Sequence, residues 1–478
     1  MQWQSVIGLE VHTQLSTKSK IFSFAPTAFG ANPNTQASEI DLGLPGTLPF
    51  LNKEVINMAI KLGLGINSTI NKRSIFARKN YFYPDLPKGY QITQNKFPII
   101  TGGSLNIEDE DNNVKKINIT RAHLEEDAGK STHYDEVNKS GIDLNRAGIA
   151  LLEIVTEPDL RSPKEAIAFL KTLHTLVRYL GICDGNMQEG SFRCDANISM
   201  RRSEADPLGT RVEIKNINSF KFVGEALNYE IQRQIDCIKH GEAINQETRL
   251  YDPSTKKTKA MRDKEDAHDY RYFADPDLPP LIIEQETINE VRASMPELPA
   301  AKRSRFEEEY SLSSYDAKIL ITDKNIAQYF EDVCSDTTAD SKLVANWVSG
   351  ELLAYLNRNN ISITACPVSS KKLASLLSKI ADNTISGKIA KTIFEYLWEN
   401  DAEVEVVIKE QGLNQISNPA ELEAIIAGIM TEFPEQTNDY QNGKDKLFGF
   451  FVGQMMKKTQ GKGNPKLINE LLLKMLSK

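Results

Sequence analysis

Apolar and polar residues alternate along several stretches of the chain before residue 220, and this period of two predicts β-strands. In the clearest stretch, residues 7–15, the polar positions are Glu10, His12 and Gln14. Similar alternation runs through residues 121–127, 192–198 and 211–215. We therefore expect each of these strands to present one apolar face to a core and one polar face away from it.

One helix is predicted from signals at both of its ends. Ser162 followed by Pro163, with Glu165 three residues after the serine, is typical of a helix N-terminus. Apolar residues then recur at helical spacing, at Ile167, Leu170, Leu173 and Val177. Gly181 stands where a helix stop is expected. We interpret this segment as a scaffold helix on which His174 has a structural role.

Proline-rich breaks divide the chain into a mixed part and a helical part. Clusters of helix-breaking and turn-forming residues occur at 275–280 and 295–299. Beyond them proline and glycine become rare, and apolar residues recur mainly at helical spacing. The pattern predicts a domain boundary near residue 292, with strands and helices before it and helices after it.

Composition is that of an ordinary soluble globular protein. Hydrophobic residues make up 40% and charged residues 26% of the 478 positions. No apolar stretch approaches the roughly 20 residues of a membrane span, and the N-terminus lacks the features of a signal peptide. Five cysteines without a CxxC spacing predict free thiols in a reducing cytoplasm.

The net charge of −8 gives the chain no overall basic footprint for nucleic acid. A nucleic-acid partner would therefore need a local basic patch, and one candidate lies near the C-terminus: Lys457, Lys458, Lys462 and Lys466. Taken alone, this glycine-broken segment is more simply a solvated loop between two helices. The apolar residues just before it, Leu447, Phe450 and Phe451, are interpreted as core.

The polar faces of the predicted strands carry residue types that bind metal and phosphate. A solvated outer sheet face is the simpler interpretation of any single strand. If the four strands are neighbours, however, their Glu, Asp, His, Asn and Arg side chains would line one cleft. Carboxylates there could hold Mg²⁺ and basic residues could hold phosphate oxygens. The chain has no GxxxxGK[ST] and no GxGxxG, so a nucleotide site would have to be built on the sheet.

The most specific functional indication is a series of long sequence strings that spans the whole chain. They are IGLEVH (7–12), DLGLPG (41–46), ARKNYFYPDLPK (77–88), HLEEDAGK (123–130), DLNRAG (143–148), EGSFRCDAN (189–197), RVEIKNINS (211–219) and AMR (260–262). In this order they resemble the family of B subunits of the aspartyl/glutamyl-tRNA amidotransferase. The C-terminal region is similar to YqeY.

This resemblance implies an α+β fold with three domains. They are a cradle-shaped kinase domain with an antiparallel sheet (1–292), an all-α domain (293–406) and a helical, YqeY-like, tRNA-binding tail (407–478). It also implies a complex with an amidase subunit and a small third subunit. ATP would phosphorylate the side-chain carboxyl of Glu-tRNA(Gln) or Asp-tRNA(Asn). Ammonia from the amidase would then displace the phosphate.

The resemblance and the polar faces together suggest roles for individual residues. We expect Mg²⁺ at Glu10, His12 and Glu125, and catalytic roles for these three and for Glu213. The expected nucleotide-binding or acceptor-end residues are Lys79, Asn80, Tyr81, Arg193, Asp195 and Lys215. Some family members have zinc-binding cysteines within residues 22–30. This chain has Ser23, Phe24 and Ala25 there, so we expect no structural zinc.

Two other functions are compatible with the same residues. The chain could be a non-catalytic scaffold that docks tRNA, with structural carboxylates on the sheet. It could also be a free-standing ATP-dependent ligase. Measuring ATP hydrolysis by the isolated chain, and whether that hydrolysis depends on a partner amidase, would distinguish the scaffold and the free-standing ligase from the carboxyl-activating subunit.

Overall fold

The computed structural model describes residues 3–109, 113–134, 138–261, 269–413, 415–416 and 418–477. Arg262, the last residue of the matching strings, lies outside the described residues. The strands are β1 (Gln4–Gln14), β2 (Thr69–Ile70), β3 (Arg73–Ser74), β4 (Ala77–Asn80), β5 (Tyr90–Thr93), β6 (Ile100–Thr101), β7 (Ser104–Glu108), β8 (Val114–Glu126), β9 (Lys130–Tyr134), β10 (Lys139–Asp143), β11 (Ala150–Thr156), β12 (Phe192–Arg201), β13 (Val212–Lys215), β14 (Thr248–Asp252), β15 (Lys257–Ala260), β16 (Phe273–Ala274) and β17 (Leu281–Ile282).

The α-helices follow the same chain order. They are α1 (Lys53–Gly65), α2 (Pro163–Tyr179), α3 (Phe220–His240), α4 (Gln285–Ala293), α5 (Pro299–Glu309), α6 (Ser314–Leu320), α7 (Lys324–Asp336), α8 (Ser341–Asn346), α9 (Leu353–Asn359), α10 (Ser370–Ala381), α11 (Gly387–Glu399), α12 (Val404–Glu410), α13 (Pro419–Glu432), α14 (Pro434–Gln441), α15 (Phe448–Lys458) and α16 (Pro465–Leu476). The chain divides into two compact units, residues 1–299 and 300–478.

The first unit is built on one large sheet. Its main strand order is β15-β14-β13-β12-β1-β11-β8-β5-β4-β16. Among the described strands the pairs are antiparallel, except that β13 and β14 run parallel. Three of the four predicted strands, β13, β12 and β1, are neighbours, whereas β11 separates the fourth, β8, from β1. The predicted α+β class is confirmed, with one parallel pair in an otherwise antiparallel sheet.

Helix α2 forms as its sequence signals predict. The Ser162 hydroxyl accepts a hydrogen bond from the Glu165 amide at 3.1 Å, and Gly181 after the helix has a φ of +66°. Leu173 is fully buried in one apolar cluster with Leu9 and Val11 of β1. This packing covers the apolar side of the sheet and leaves Glu10, His12 and Gln14 on the other side.

His174 on α2 is held by structural contacts. Its Nε2 lies 2.9 Å from the Gly185 carbonyl oxygen. Its ring meets the rings of Phe192 and Phe220 edge-on, with centroids 5.3 and 5.6 Å away. These contacts agree with the predicted structural role.

The second unit is helical and contains two separate apolar clusters. One includes side chains from Phe306 to Ile408, and the other runs from Leu422 to Leu476. The predicted boundaries at 292 and 406 stay predictions; the second falls inside α12, whose Ile408 belongs to the first cluster. No helix in the described part of the chain is long and apolar enough to cross a membrane.

The cysteines and the C-terminal apolar residues lie where the pattern predicts. All five cysteines are free, and Cys194 is buried on the apolar side of β12. Burial raises the pKa of the Cys194 thiol well above its usual value. Phe451 is fully buried in the last apolar cluster, and Leu447 and Phe450 pack partly buried against it. The interpretation of these three residues as core is confirmed.

Candidate functional site

The register of three neighbouring strands places polar side chains in one row. His12 on β1 is opposite Glu153 on β11, and Glu153 is opposite His123 on β8. Directly opposed residues of antiparallel strands point to the same face. Glu125, two residues after His123, lies on that face in the next row. Because the apolar side of the sheet packs into the core, the opposite side carries two imidazoles and two carboxylates close together.

The side chains of this row are in contact. The Nε2 atom of His12 lies 3.4 Å from Glu125 Oε1 and 3.2 Å from Glu153 Oε2. The Nε2 atom of His123 lies 3.5 Å from the same Glu153 oxygen. His12, Glu125 and Glu153 each offer one possible ligand atom, and these three atoms lie within 4.8 Å of one another. No other group of this kind occurs in the described residues. This spacing allows all three to bind one ion.

The charges in this group are set by burial and by the close contacts. Burial acts to lower the pKa of His12, but its hydrogen bonds to Glu125 and Glu153 outweigh this and raise the pKa to about 10. Burial acts to raise the pKa of Glu153, but the hydrogen bond with His12 and the nearby His123 lower it overall. Burial lowers the pKa of His123. A proton on His12 thus holds the two carboxylates together.

The donor set of the group fits a divalent cation. Carboxylate oxygens suit Mg²⁺, and an imidazole nitrogen is a common ligand for other divalent metals such as Mn²⁺. A ligating imidazole must be neutral. A cation bound by His12, Glu125 and Glu153 would therefore replace the His12 proton and meet the same two carboxylates.

Glu10 lies on the same face but outside the group of three. Its Oε1 accepts a hydrogen bond from Asn197 Nδ2 at 2.8 Å, and across the β1–β12 pair it is opposite Asp195. Burial raises the pKa of Glu10, and the charge of Glu153 acts in the same direction. Glu10 is therefore a carboxylate in an acidic setting, and its assignment as a metal ligand stays a prediction.

A second polar cluster joins β12 and β13 on this face. Lys215 Nζ lies 2.8 Å from Asp195 Oδ2 and 3.1 Å from Glu213 Oε1. Thr248 donates its hydroxyl to the other Glu213 oxygen at 2.7 Å. Burial acts to lower the pKa of Lys215, but Asp195 and Glu213 outweigh it and raise the pKa. The structure thus brings these three predicted site residues into contact.

Arg193 contacts a residue that lies beyond the end of β8. Its Nη2 is 2.9 Å from Asp127 Oδ2, and Gln14 donates to the same oxygen from 3.0 Å. Arg146 Nε is 3.6 Å from that oxygen. Asp127 therefore joins the polar face although β8 ends at Glu126.

The three predicted residues at 79–81 differ in their contacts. Lys79 Nζ lies 4.7 Å from the centroid of the Tyr270 ring and 5.8 Å from that of Tyr81. Burial raises the pKa of Tyr81, and the charge of Glu125 adds to the effect. Asn80 instead donates to the Tyr270 carbonyl oxygen at 3.0 Å. Lys79 and Tyr81 are thus near the carboxylates, whereas the Asn80 amide anchors backbone.

Glu153 was missed by the sequence reasoning. Strand β11, ALLEIVT, is mostly buried and reads as an apolar run without alternation. A single carboxylate inside such a run is itself a signal, because a buried charge needs a partner. That signal could have added Glu153 to the candidates.

Comparisons with known proteins agree along the whole chain. Residues 5–289 match the model of the GatB/GatE catalytic domain, and residues 328–476 match the model of the GatB domain. Similar proteins, each named as the B subunit of an aspartyl/glutamyl-tRNA(Asn/Gln) amidotransferase, occur in Thioalkalivibrio sulfidiphilus (59% identical), Nitrosococcus oceani (58%) and Coxiella burnetii (57%). Each alignment covers 100% of both chains. The chain therefore belongs to the family of B subunits of the aspartyl/glutamyl-tRNA(Asn/Gln) amidotransferase.

Proposed function

We propose that this chain activates the side-chain carboxyl of Glu-tRNA(Gln) or Asp-tRNA(Asn) with ATP and converts it to the amide. The observation that carries this proposal is the contact of His12 with Glu125 and Glu153, on a sheet face that also holds the Lys215 cluster. Bringing an anionic carboxylate to an anionic nucleotide requires such charge-compensating groups. Family membership supports the choice of substrate.

The reaction divides into two displacements. A substrate carboxylate oxygen attacks the γ-phosphorus of ATP, and the bond from that phosphorus to the leaving ADP oxygen breaks. The resulting acyl phosphate is a good electrophile, whereas the carboxylate is a poor one. Ammonia then attacks the acyl carbon, loses a proton and displaces inorganic phosphate, which leaves Gln-tRNA(Gln) or Asn-tRNA(Asn).

The residues of the polar face divide the work between them. His12, Glu125 and Glu153 would hold Mg²⁺ or a similar cation, with Glu10 beside them, and the cation would neutralise phosphate charge. Lys215 and Arg193 would bind nucleotide oxygens and exchange their present carboxylate partners for them. Asp195 and Glu213 position Lys215. Lys79 and Tyr81 would face ATP or the acceptor end of the tRNA, with Asn80 fixing the backbone beside them.

The ammonia must come from outside this chain. The relatives' name describes one subunit of a larger amidotransferase, and this supports an assembly with an amidase subunit and a small third subunit. The substrates are misacylated tRNAs, so we propose that this assembly acts in the cytoplasm.

The test is phosphate transfer by the reconstituted complex. With labelled ATP and each misacylated tRNA, Glu10→Ala and Glu125→Ala should remove carboxyl phosphorylation and amidation but keep the glutaminase activity. Glu290→Ala, an exposed carboxylate on α4, is the matched control and should behave like wild type. Near wild-type amidation by both site variants would refute the proposed site.

The same assay distinguishes the alternatives. A tRNA-docking scaffold predicts no phosphate transfer that depends on Glu125. A free-standing ligase predicts full amidation by the isolated chain without a partner amidase. We expect the isolated chain to lack glutamine-dependent amidation.

A further inference from the structure

Arg121 is an unpaired cation beside the site. It is half-buried on β8, and its Nε is buried without a hydrogen-bond partner. Within the described ranges, its guanidinium forms no ion pair. Arg193 and Lys215 are paired with Asp127 and Asp195, although the Nε atom of Arg193 is also buried without a partner. Lys79 has no ion pair among the described residues, but it lies over the rings of Tyr270 and Tyr81. Arg121 therefore combines half-burial with a guanidinium that no carboxylate neutralises.

Regular alternation along β8 places Arg121 on the polar face, two residues before His123 and four before Glu125. On β11, Val155 and Thr156 are consecutive, but their partners on β8 are Arg121 and Ile119. The extra residue in β8 is Thr120. Because of it, Ile119 lies on the core face, where it is buried, although it is only two residues before Arg121. Bulges are common next to active sites, and the regular stretch after this one carries Arg121, His123 and Glu125 on one face.

A carboxylate lies in the same row of the sheet as Arg121. Across the sheet, Glu10 is opposite Val155 and Val155 is opposite Arg121. Two strand spacings of about 4.8 Å separate the backbones of Glu10 and Arg121 by roughly 10 Å, and among the described residues their side chains form no ion pair. The side chain between them is a short apolar one. A carboxylate and a guanidinium therefore flank Val155 in the row next to His12 and Glu153.

A second unsatisfied polar group lies beside Arg121. The Nδ1 atom of His123 is buried without a partner in the described chain. Buried polar groups are normally hydrogen-bonded, so two neighbouring orphans indicate a missing polar ligand.

We propose that Arg121 binds a phosphate group of the nucleotide consumed in carboxyl activation. This inference rests on the proposed function. A guanidinium donates two parallel hydrogen bonds to phosphate oxygens, which a lysine cannot do. A phosphate of the tRNA backbone has the same chemistry, but the position of Arg121 one row from the carboxylate group favours the nucleotide.

The test compares Arg121→Gln and Arg121→Lys with wild type in the assembled complex. Removing a charge-assisted hydrogen bond should raise the KM for ATP about tenfold or more. The lysine variant, which keeps the charge but not the planar fork, should fall between the two. The KM for tRNA and the glutaminase activity should not change. Lys116→Gln removes an exposed cation from the same strand and should leave all of these values unchanged.

Two results would overturn the inference. One is a KM for ATP within twofold of wild type in Arg121→Gln. The other is a rise confined to the KM for tRNA, which would assign the phosphate to the RNA. If Arg121→Gln does not assemble into the complex, the same two results measured with Arg121→Lys would overturn the inference. Failure of the proposed function is distinguishable, because then the wild-type complex itself would transfer no phosphate.

Discussion

At the scale of single residues, His12 shows how one protonated imidazole can hold two carboxylates close together. Two carboxylates this close would repel each other, and the His12 proton shared between Glu125 and Glu153 offsets that repulsion. Neutral His123 lies on the other side of Glu153. The cation that we propose for this site would therefore find its ligands already in position when it replaced the proton.

Glu153 should matter for cation binding as much as Glu125. Glu153→Gln keeps the shape of the side chain but removes its charge, so we expect Mn²⁺, used as a spectroscopic probe, to bind at least about tenfold more weakly. Titration of the assembled complex by electron paramagnetic resonance measures this directly. Glu290→Gln is the control. Unchanged Mn²⁺ affinity in Glu153→Gln would exclude it from the ligand set.

Cys194 should be chemically inert in the folded protein. Burial raises its pKa, so the reactive thiolate is absent at pH 8, and the side chain is also inaccessible. Iodoacetamide should modify Cys194 only after unfolding, whereas half-buried Cys237 should react earlier. Mass spectrometry of the alkylated peptides checks both. A Cys194→Ser variant that folds but loses all amidation would contradict a purely structural thiol.

At the scale of elements, the ends of a helix are fixed by local chemistry. The start of α2 is set by the Ser162 hydroxyl, by Pro163 with its fixed φ, and by Glu165, whose carboxylate also accepts the Arg161 amide at 2.8 Å. Its end is set by Gly181, which adopts a positive φ without steric cost. The helix therefore covers the core face of the sheet with a defined length.

Ser162→Ala should loosen the first turn of α2. Losing the cap costs about 1 kcal/mol, which corresponds to roughly fivefold faster opening of that turn. Amide hydrogen exchange at residues 164–166 measures the change. Lys171→Ala, an exposed position on the same helix, should leave the exchange rates as they are. Equal rates in Ser162→Ala and wild type would show that packing alone fixes this end.

At the scale of the whole molecule, the C-terminal cluster offers cations of two kinds. Lys458 pairs with Glu432 at 2.8 Å, and Lys462 donates to the Gly412 carbonyl at 2.8 Å. Lys457 and Lys466 are exposed and have no ion pair among the described residues. The cluster does border a loop between α15 and α16, as its glycines predict, and contact with tRNA stays a prediction.

Removing residues 415–478 should weaken tRNA binding by the complex and reduce its salt dependence. The cut keeps Leu413, because this residue packs against the preceding apolar cluster, to which Val407 and Ile408 belong. Phosphate transfer to saturating tRNA and the glutaminase activity should be kept. Filter binding over a range of salt concentrations measures the slope. Equal affinity and equal slope would exclude the tail as a tRNA contact.

A double variant tests the exposed lysines alone. Lys457→Ala with Lys466→Ala should lower the salt slope by up to about two, because each phosphate that is no longer neutralised by a lysine lowers it by close to one. Lys458→Ala, whose cation is already paired with Glu432, should change it less. A larger effect of Lys458→Ala would place the tRNA contact elsewhere on the tail.

The sequence by itself determined the local features of this protein. A period of two put Glu10 and His12 on one face, because strand geometry alternates side chains whatever the partner strand is. Capping residues determined the ends of α2, because a cap acts on the backbone within one turn of itself. The long matching strings identified the family, because so many strings in the same order do not occur by chance.

Only the tertiary structure decided which polar faces meet. Strand order and register follow from contacts between distant segments, so the insertion of β11 between β1 and β8, and with it Glu153, is invisible in local alternation. The bulge that places Ile119 and Arg121 on opposite faces also depends on pairing, because an extra residue exists only relative to a partner strand. Asp127 lies beyond the end of β8, and its ion pair with Arg193 connects it to the polar face.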